Sequence, residues 1–179
     1  MKPSRAEQNG REYRKLRLMT LGYSIGISLA VVLLIFTVWL QSIRVSDDGM
    51  APVLRQGDIV LFDRLAKHIS LPARGDAYAF SSEDALMLGR IVGLPGEHVQ
   101  IKDGHVYIDG AQLDEARYAV ASDLQMEERT LPINAFFLLP DARPLTVLNP
   151  EAMTISFDRL VGRAALRVAP WNRISLFIA

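Results

Sequence analysis

The chain has 179 residues, with 20 Lys and Arg against 20 Asp and Glu and no cysteine. That length holds one domain plus an anchor, and the missing cysteine excludes both a disulfide framework and a thiol nucleophile. No two of the three histidines, His68, His98 and His105, have metal-ligand spacing, so neither a metal nor any other cofactor is expected.

Residues 1–17 carry Lys2, Arg5, Arg11, Arg14, Lys15 and Arg17 against Glu7 and Glu12 and read as a solvated, disordered tail. From Leu18 to Leu40 no charged residue occurs. Such a run is about the length a helix needs to cross the hydrocarbon core of a bilayer. It is too long for a signal-peptide h-region, and residues 41–48 offer no small-x-small cleavage site, so an uncleaved single-pass anchor is expected. The basic cluster on the near side and Trp39 at the far end put the N-terminus in the cytoplasm and residues 41–179 outside it. The basic residues cluster beside this anchor, and the rest has no basic patch interleaved with aromatics, which argues against a nucleic-acid partner.

Beyond the anchor, short apolar runs separated by Gly, Pro and Asp predict strands at 59–62, 77–80, 86–92, 99–101, 106–108, 136–139 and 160–168. Gly57-Asp58 and Gly75-Asp76 each follow an arginine and precede a strand, which reads as one turn chemistry used twice. Asp103-Gly104 between two alternating runs is a hairpin signal. The segment from Ala111 to Thr130 is short and charged.

Four blocks and a closing one then stand in order. Ser46-Asp47-Asp48-Gly49-Met50-Ala51-Pro52-Val53-Leu54 leads into Arg55-Gln56-Gly57-Asp58-Ile59. Gly89-Arg90-Ile91-Val92-Gly93-Leu94-Pro95-Gly96-Glu97 runs into the Asp103 to Gly110 hairpin, and Leu160-Val161-Gly162-Arg163-Ala164 comes last. In these blocks the sequence resembles the type I signal peptidases, S26-type enzymes with a Ser/Lys dyad. The resemblance implies a mostly β fold, the catalytic core without the large inserted domain, at 41–179. It implies a single transmembrane helix at 18–40, after a cytoplasmic tail at 1–17, in a bacterial cytoplasmic membrane.

The family's nucleophile is a serine immediately before the Met of the first block, and its general base is a lysine immediately before the Arg of the third. Here those positions are Gly49 and Gly89. No catalytic residue is therefore expected. Arg90 cannot serve as base, because a guanidinium keeps its proton. Ser46 is three residues away from the nucleophile position, outside any near-attack geometry. Asp47 falls where some relatives place a hydroxyl that completes the oxyanion hole, and an ionised carboxylate there opposes a developing oxyanion.

Ungapped counting back from Leu160 lays the family's last motif over residues 140–150. Asp141 and Arg143 match it and, if paired, are a structural remnant; Thr146 keeps a hydroxyl, while Leu148 and Pro150 replace its second Asp and last Arg. By analogy with the relatives, Met50, Pro52, Leu86, Met87 and Leu88 line a groove for an extended peptide. The leading expectation is a non-catalytic signal-peptidase-like protein that binds an exported polypeptide or a pilus, secretion or membrane-complex subunit beside the lipid bilayer. The alternatives are an active serine endopeptidase with a non-standard nucleophile or base, and a fixed subunit that makes no use of the groove.

Overall fold

The computed structural model describes residues 5–82, 85–117, 119, 123–143 and 149–176. The chain divides into two units, Met1–Trp39 and Leu40–Ala179. The first is one helix, α1, Arg5–Trp39. The helix therefore begins inside the stretch expected to be a disordered basic tail. Arg, Lys, Glu, Gln and Ala are strong helix formers, so the apolar helix extends back through them at little cost. Its segment Arg14–Leu34 is long and apolar enough to cross a membrane. The far boundary also differs, because Leu40 opens a strand instead of closing the helix.

The second unit is mostly β. Its larger sheet contains β1 (Leu40–Arg44), β2 (Ile59–Asp63), β3 (Ala77–Ser81), β4 (Leu86–Gly93), β9 (Ala135–Leu139), β10 (Thr154–Ser156), β11 (Leu160–Ala169) and β12 (Ser175–Leu176). Their order is β1-β2-β11-β3-β4-β9-β10, with β12 on β11. The smaller sheet, ordered β7-β6-β5-β8, uses β5 (His98–Lys102), β6 (His105–Ile108), β7 (Ala111–Gln112) and β8 (Met126–Thr130). All seven expected strands are present, and β1, β7, β8, β10 and β12 are additional.

β3 shows how the sequence builds the core. Its Ala-Tyr-Ala-Phe pattern alternates small and large, and a strand sends alternate side chains to opposite faces. Tyr78 and Phe80 enter a cluster with Ile91, Val99, Ile101, Val106 and Phe137 that joins both sheets. Ala77 and Ala79 lie in a second cluster with Val45, Met50, Leu54, Val60, Phe62 and Ala164. The small side chains leave room for the 45–54 segment to pack down on that face. Burial of Met50 and Phe62 in this cluster contributes about 1.5–3 kcal/mol each.

The two Gly-Asp turns are built alike. The Asp58 N–H donates to the Arg55 carbonyl at 3.0 Å, and the Arg55 N–H donates back to Asp58 Oδ2 at 3.0 Å. Asp76 and Ala73 repeat both bonds at 3.2 and 3.1 Å. Gly57 and Gly75 take φ of 88° and 92°, which is why glycine precedes each aspartate.

Candidate functional site

Gly49 lies in the 45–58 loop, which is stapled at several points. The Val45 N–H donates to the Asp58 carbonyl at 2.9 Å, the Leu54 N–H to the Met50 carbonyl at 2.8 Å, and the Gly57 N–H to the Val45 carbonyl at 2.9 Å. Gln56 reaches back twice, donating its N–H to Asp48 Oδ1 at 2.8 Å and Nε2–H to the Ser46 carbonyl at 2.9 Å. From the other side, buried Asp58 is paired with Arg167 at 3.5 Å and Arg173 at 3.0 Å. Arg167 also donates to the Val53 carbonyl. The loop's shape is thus fixed by partners on β11 and just after it, without any contribution from a side chain at 49.

Gly89 lies on β4 opposite Tyr78. An ideal Cβ there would stand 3.2 Å from Phe80 Cε1 and 3.2 Å from Leu138 Cβ. An amine on this position would therefore begin among apolar atoms, the surroundings that lower a lysine pKa toward neutrality. After the helix the chain has only Lys67 and Lys102. Lys67, on the short helix α2 (Ala66–Ile69), donates to the Leu160 carbonyl and sits 5.3 Å over the Phe157 ring, so its amine is engaged there.

One stretch, Leu138 to Ala142, borders both glycines. Leu138 and Leu139 flank Gly89, Pro140 Cβ would lie 3.8 Å from a Cβ at Gly49, and the Ala142 N–H donates to the Gly49 carbonyl at 2.8 Å. Asp141, in the same stretch, is 1% exposed and accepts two hydrogen bonds from Arg90, Nε–H at 2.8 Å and Nη2–H at 2.6 Å. Arg90 gives a third, from Nη1 to the Gly75 carbonyl at 2.7 Å. Burial raises the Asp141 pKa above the ordinary carboxylate value, while the Arg90 guanidinium pulls it back.

Asp141 and Arg143 each pair with a different residue. Arg143 makes a buried two-pronged pair with Glu115, one bond at 3.0 Å, and donates Nε–H to the Pro140 carbonyl at 3.2 Å. Two residues apart in sequence, the acid and the base take different partners and tie the loop to β4 and to Glu115. Glu115, which the sequence did not single out, also lines a cavity of about 540 Å³ with Asp103, His105 and Asp114.

The groove residues separate into two sets. Leu86 and Met87 are 38% and 36% exposed, and Pro52 is exposed. Met50 is 1% exposed and packs in the second core cluster, with Leu88 against it. It therefore does not line a groove; the apolar burial of its side chain outweighs exposure at the loop surface. β4 is paired with β3 from Leu86 to Arg90, but β9 pairs with it only from Arg90 onward. Among the described residues, the Leu86–Gly89 stretch has no strand on its β9 side.

Ser46 Oγ donates to Asp47 Oδ2 at 3.2 Å, a loop contact. Thr146 and Leu148 lie outside the described residues. Pro150 opens a short 3-10 helix.

A family model described as "Signal peptidase, peptidase S26" matches residues 18–168. The chain belongs to the signal peptidase S26 family. It is similar to a signal peptidase I of Leptolyngbya laminosa, 29% identical over 84% of this chain and 79% of that one. It is also similar to a Staphylococcus aureus protein named inactive signal peptidase IA, 20% identical over 84% of this chain and 92% of that one. A solved signal peptidase I of Enterococcus faecalis V583 superposes with TM-score 0.42 and 26% identity, covering 52% of this chain and 97% of that one. Members of the family are membrane-anchored, and this one carries an N-terminal apolar helix of spanning length.

Proposed function

We propose that this signal peptidase S26 member is not a peptidase but holds an extended exported polypeptide, or a segment of an export or membrane-complex subunit, along the open edge of β4. The observation that carries this reading is the pairing of vacancy and preservation. The family's two reacting positions are glycines here, while the loop is stapled, Phe80 and Leu138 border position 89, and, among the described residues, Leu86–Gly89 has no strand on its β9 side. Loss of nucleophile and base in a serine hydrolase removes roughly a millionfold in rate in one measured case. An unpaired strand edge, by contrast, needs no reacting group, since it binds through main-chain hydrogen bonds and reads alternate side chains. In this reading the N-terminal helix is the anchor in the bacterial cytoplasmic membrane and residues 41–179 lie on its outer side, supported by the apolar span at Arg14–Leu34 and the basic residues that precede it.

The test uses the purified full-length protein in detergent with an exported precursor. The expected result is binding without cleavage, and a tenfold or greater loss of binding in Met87→Asp, about 1.4 kcal/mol. Met87 is the right residue to change because it is exposed, whereas a charge at buried Met50 would unfold the loop. Cleavage by the unmodified protein would overturn the reading and revive the peptidase alternative. Co-purification of a partner that survives Met87→Asp would instead favour a subunit role away from the edge.

A further inference from the structure

Between β2 and β3 the chain holds large apolar side chains in water. Ile69 is 72% and Leu71 85% exposed, and Leu65 is exposed beside them. They do not hang on a loose loop. Asp63 Oδ1 accepts the N–H groups of Leu65 and Ala66 at 2.9 and 3.0 Å, the Ser70 N–H donates to the Ala66 carbonyl at 2.9 Å, and Ala66 and Pro72 are buried. Ile133, 91% exposed, belongs to the same region. Its neighbour Asn134 accepts the Phe157 N–H at 2.8 Å, and His68 of α2 meets the same Phe157 ring edge-on, centroids 6.3 Å apart.

The position of this patch in the chain decides what covers it. Asp63 is paired across the sheet with Leu40, the residue that directly follows the apolar helix. Leu65 is two residues on, within about 7 Å of Asp63 even along a fully extended chain. The patch therefore lies at the end of the sheet where the chain leaves its anchor. Trp171 and Ile174 are exposed too, but they follow Ala169, which pairs with Ile59 at the other end of β2, about 13 Å away. We propose that the 65–71 segment, with Ile133, docks on the surface of the bilayer that holds the helix. Ile69 and Leu71 enter the headgroup boundary, and exposed Arg64 lies over anionic headgroups. The proposal rests on the membrane anchoring put forward above and not on peptide binding. Apolar side chains fixed in water gain by leaving it, and a lipid surface tethered one short reach away outcompetes a partner that must diffuse in. Docking then holds the domain in one orientation instead of leaving it to swing on its tether.

The chain has no cysteine, so a single introduced thiol reports one position at a time. Full-length protein carrying Ile69→Cys, Leu71→Cys, Lys102→Cys or Ile27→Cys, each labelled with nitrobenzoxadiazole, is reconstituted in vesicles of equal parts phosphatidylcholine and phosphatidylglycerol containing nitroxide-bearing lipids. The labels at 69 and 71 are expected to be quenched most by nitroxides about 5–10 Å into the headgroup boundary. The label at 27, within the spanning segment, is quenched by deeper nitroxides, and the label at 102 on β5 by none. Because the label is itself apolar, position 71 is read again with Ile69→Asp and Ile133→Asp present, and its quenching is expected to be lost. A quenched label at 27 with unquenched labels at 69 and 71, or quenching at 71 that survives both aspartates, overturns the docking and leaves the anchor standing. An unquenched label at 27 overturns the anchor itself. Quenching at 69 by a nitroxide carried on a second copy of the protein, but not by lipid, assigns the patch to self-association and overturns the lipid surface as its partner.

Discussion

The Arg90–Asp141 pair yields the sharpest quantitative prediction. Asp141 is 1% exposed, the Arg90 side chain is 11% exposed, and two hydrogen bonds of 2.8 and 2.6 Å join them. Asp141→Ala removes both carboxylate bonds from the buried guanidinium, and Arg90→Met leaves a buried carboxylate without the two donors it accepts from. Breaking a buried pair in this way costs about 3–5 kcal/mol, a large share of the 5–15 kcal/mol that typically separates a folded domain from its unfolded chain. Removing both charges is different in kind, because two apolar side chains leave no uncompensated charge and often restore most of the loss. Arg90→Met with Asp141→Leu is therefore expected to cost far less than the sum of the singles, with a coupling of several kcal/mol. Urea unfolding of the full chain in detergent, followed by far-ultraviolet circular dichroism of the β transition, measures all four proteins at constant m-value. Singles within about 1 kcal/mol of the parent, or a double mutant that simply adds them, would refute the description of this pair as a buried structural tie.

Two further outcomes follow from the same core. Burial, with Asp76 adding to it, pushes the Tyr78 phenol up to about 12. The folded state thus holds this proton more tightly than the unfolded chain, so the contribution is complete below about pH 10 and is lost as pH rises toward 12, at about 1.4 kcal/mol per unit. The alkaline loss should be shallower in Tyr78→Phe, and a Tyr78 phenol that titrates near 10 in the folded protein would contradict it. At Gly162, where β11 crosses β2, an added Cβ would meet the Asp63 carbonyl oxygen at 2.9 Å and the Arg64 Cα at 3.3 Å. Backbone atoms in a paired strand cannot swing aside, so Gly162→Ala is expected to cost about 1–3 kcal/mol and to lower Tm by several degrees. An unchanged Tm would show that the strands separate there without penalty.

What the sequence showed and hid divides along physical lines. The seven expected strands each bury either a continuous run or alternate residues over at least part of their length, and burial is what writes an apolar pattern into a strand. β8, Met-Glu-Glu-Arg-Thr, buries only its first residue, and β1 alternates weakly at the edge of its sheet. Such strands are held by a neighbour's ladder more than by their own side chains, so composition does not announce them. The glycines at 49 and 89 were legible because the blocks around them are local. The partners of Asp141 and Arg143 were not, since they lie 51 and 28 residues away in sequence. Met50 was misplaced for a related reason. Its block fixes where the backbone runs, whereas the small Ala77 and Ala79 on another strand decide that its side chain turns inward.

The same division shows what holds the backbone at the two glycine positions. Neither Gly49 nor Gly89 contributes a side chain to the network that positions it. Gly49 is held by its carbonyl, which accepts from Ala142, and by its N–H, which donates to Asp47. Gly89 is held by ladder bonds to β3 and by its neighbour Arg90, which is anchored on Asp141 and Gly75. Asp58, Asp141 and Arg143 differ, because each is a buried charge whose removal strands another. Removing one of those charges leaves its partner buried and unpaired, which costs stability. The backbone at 49 and 89 is therefore held by main-chain bonds and by buried ion pairs on neighbouring residues, and not by any side chain of its own.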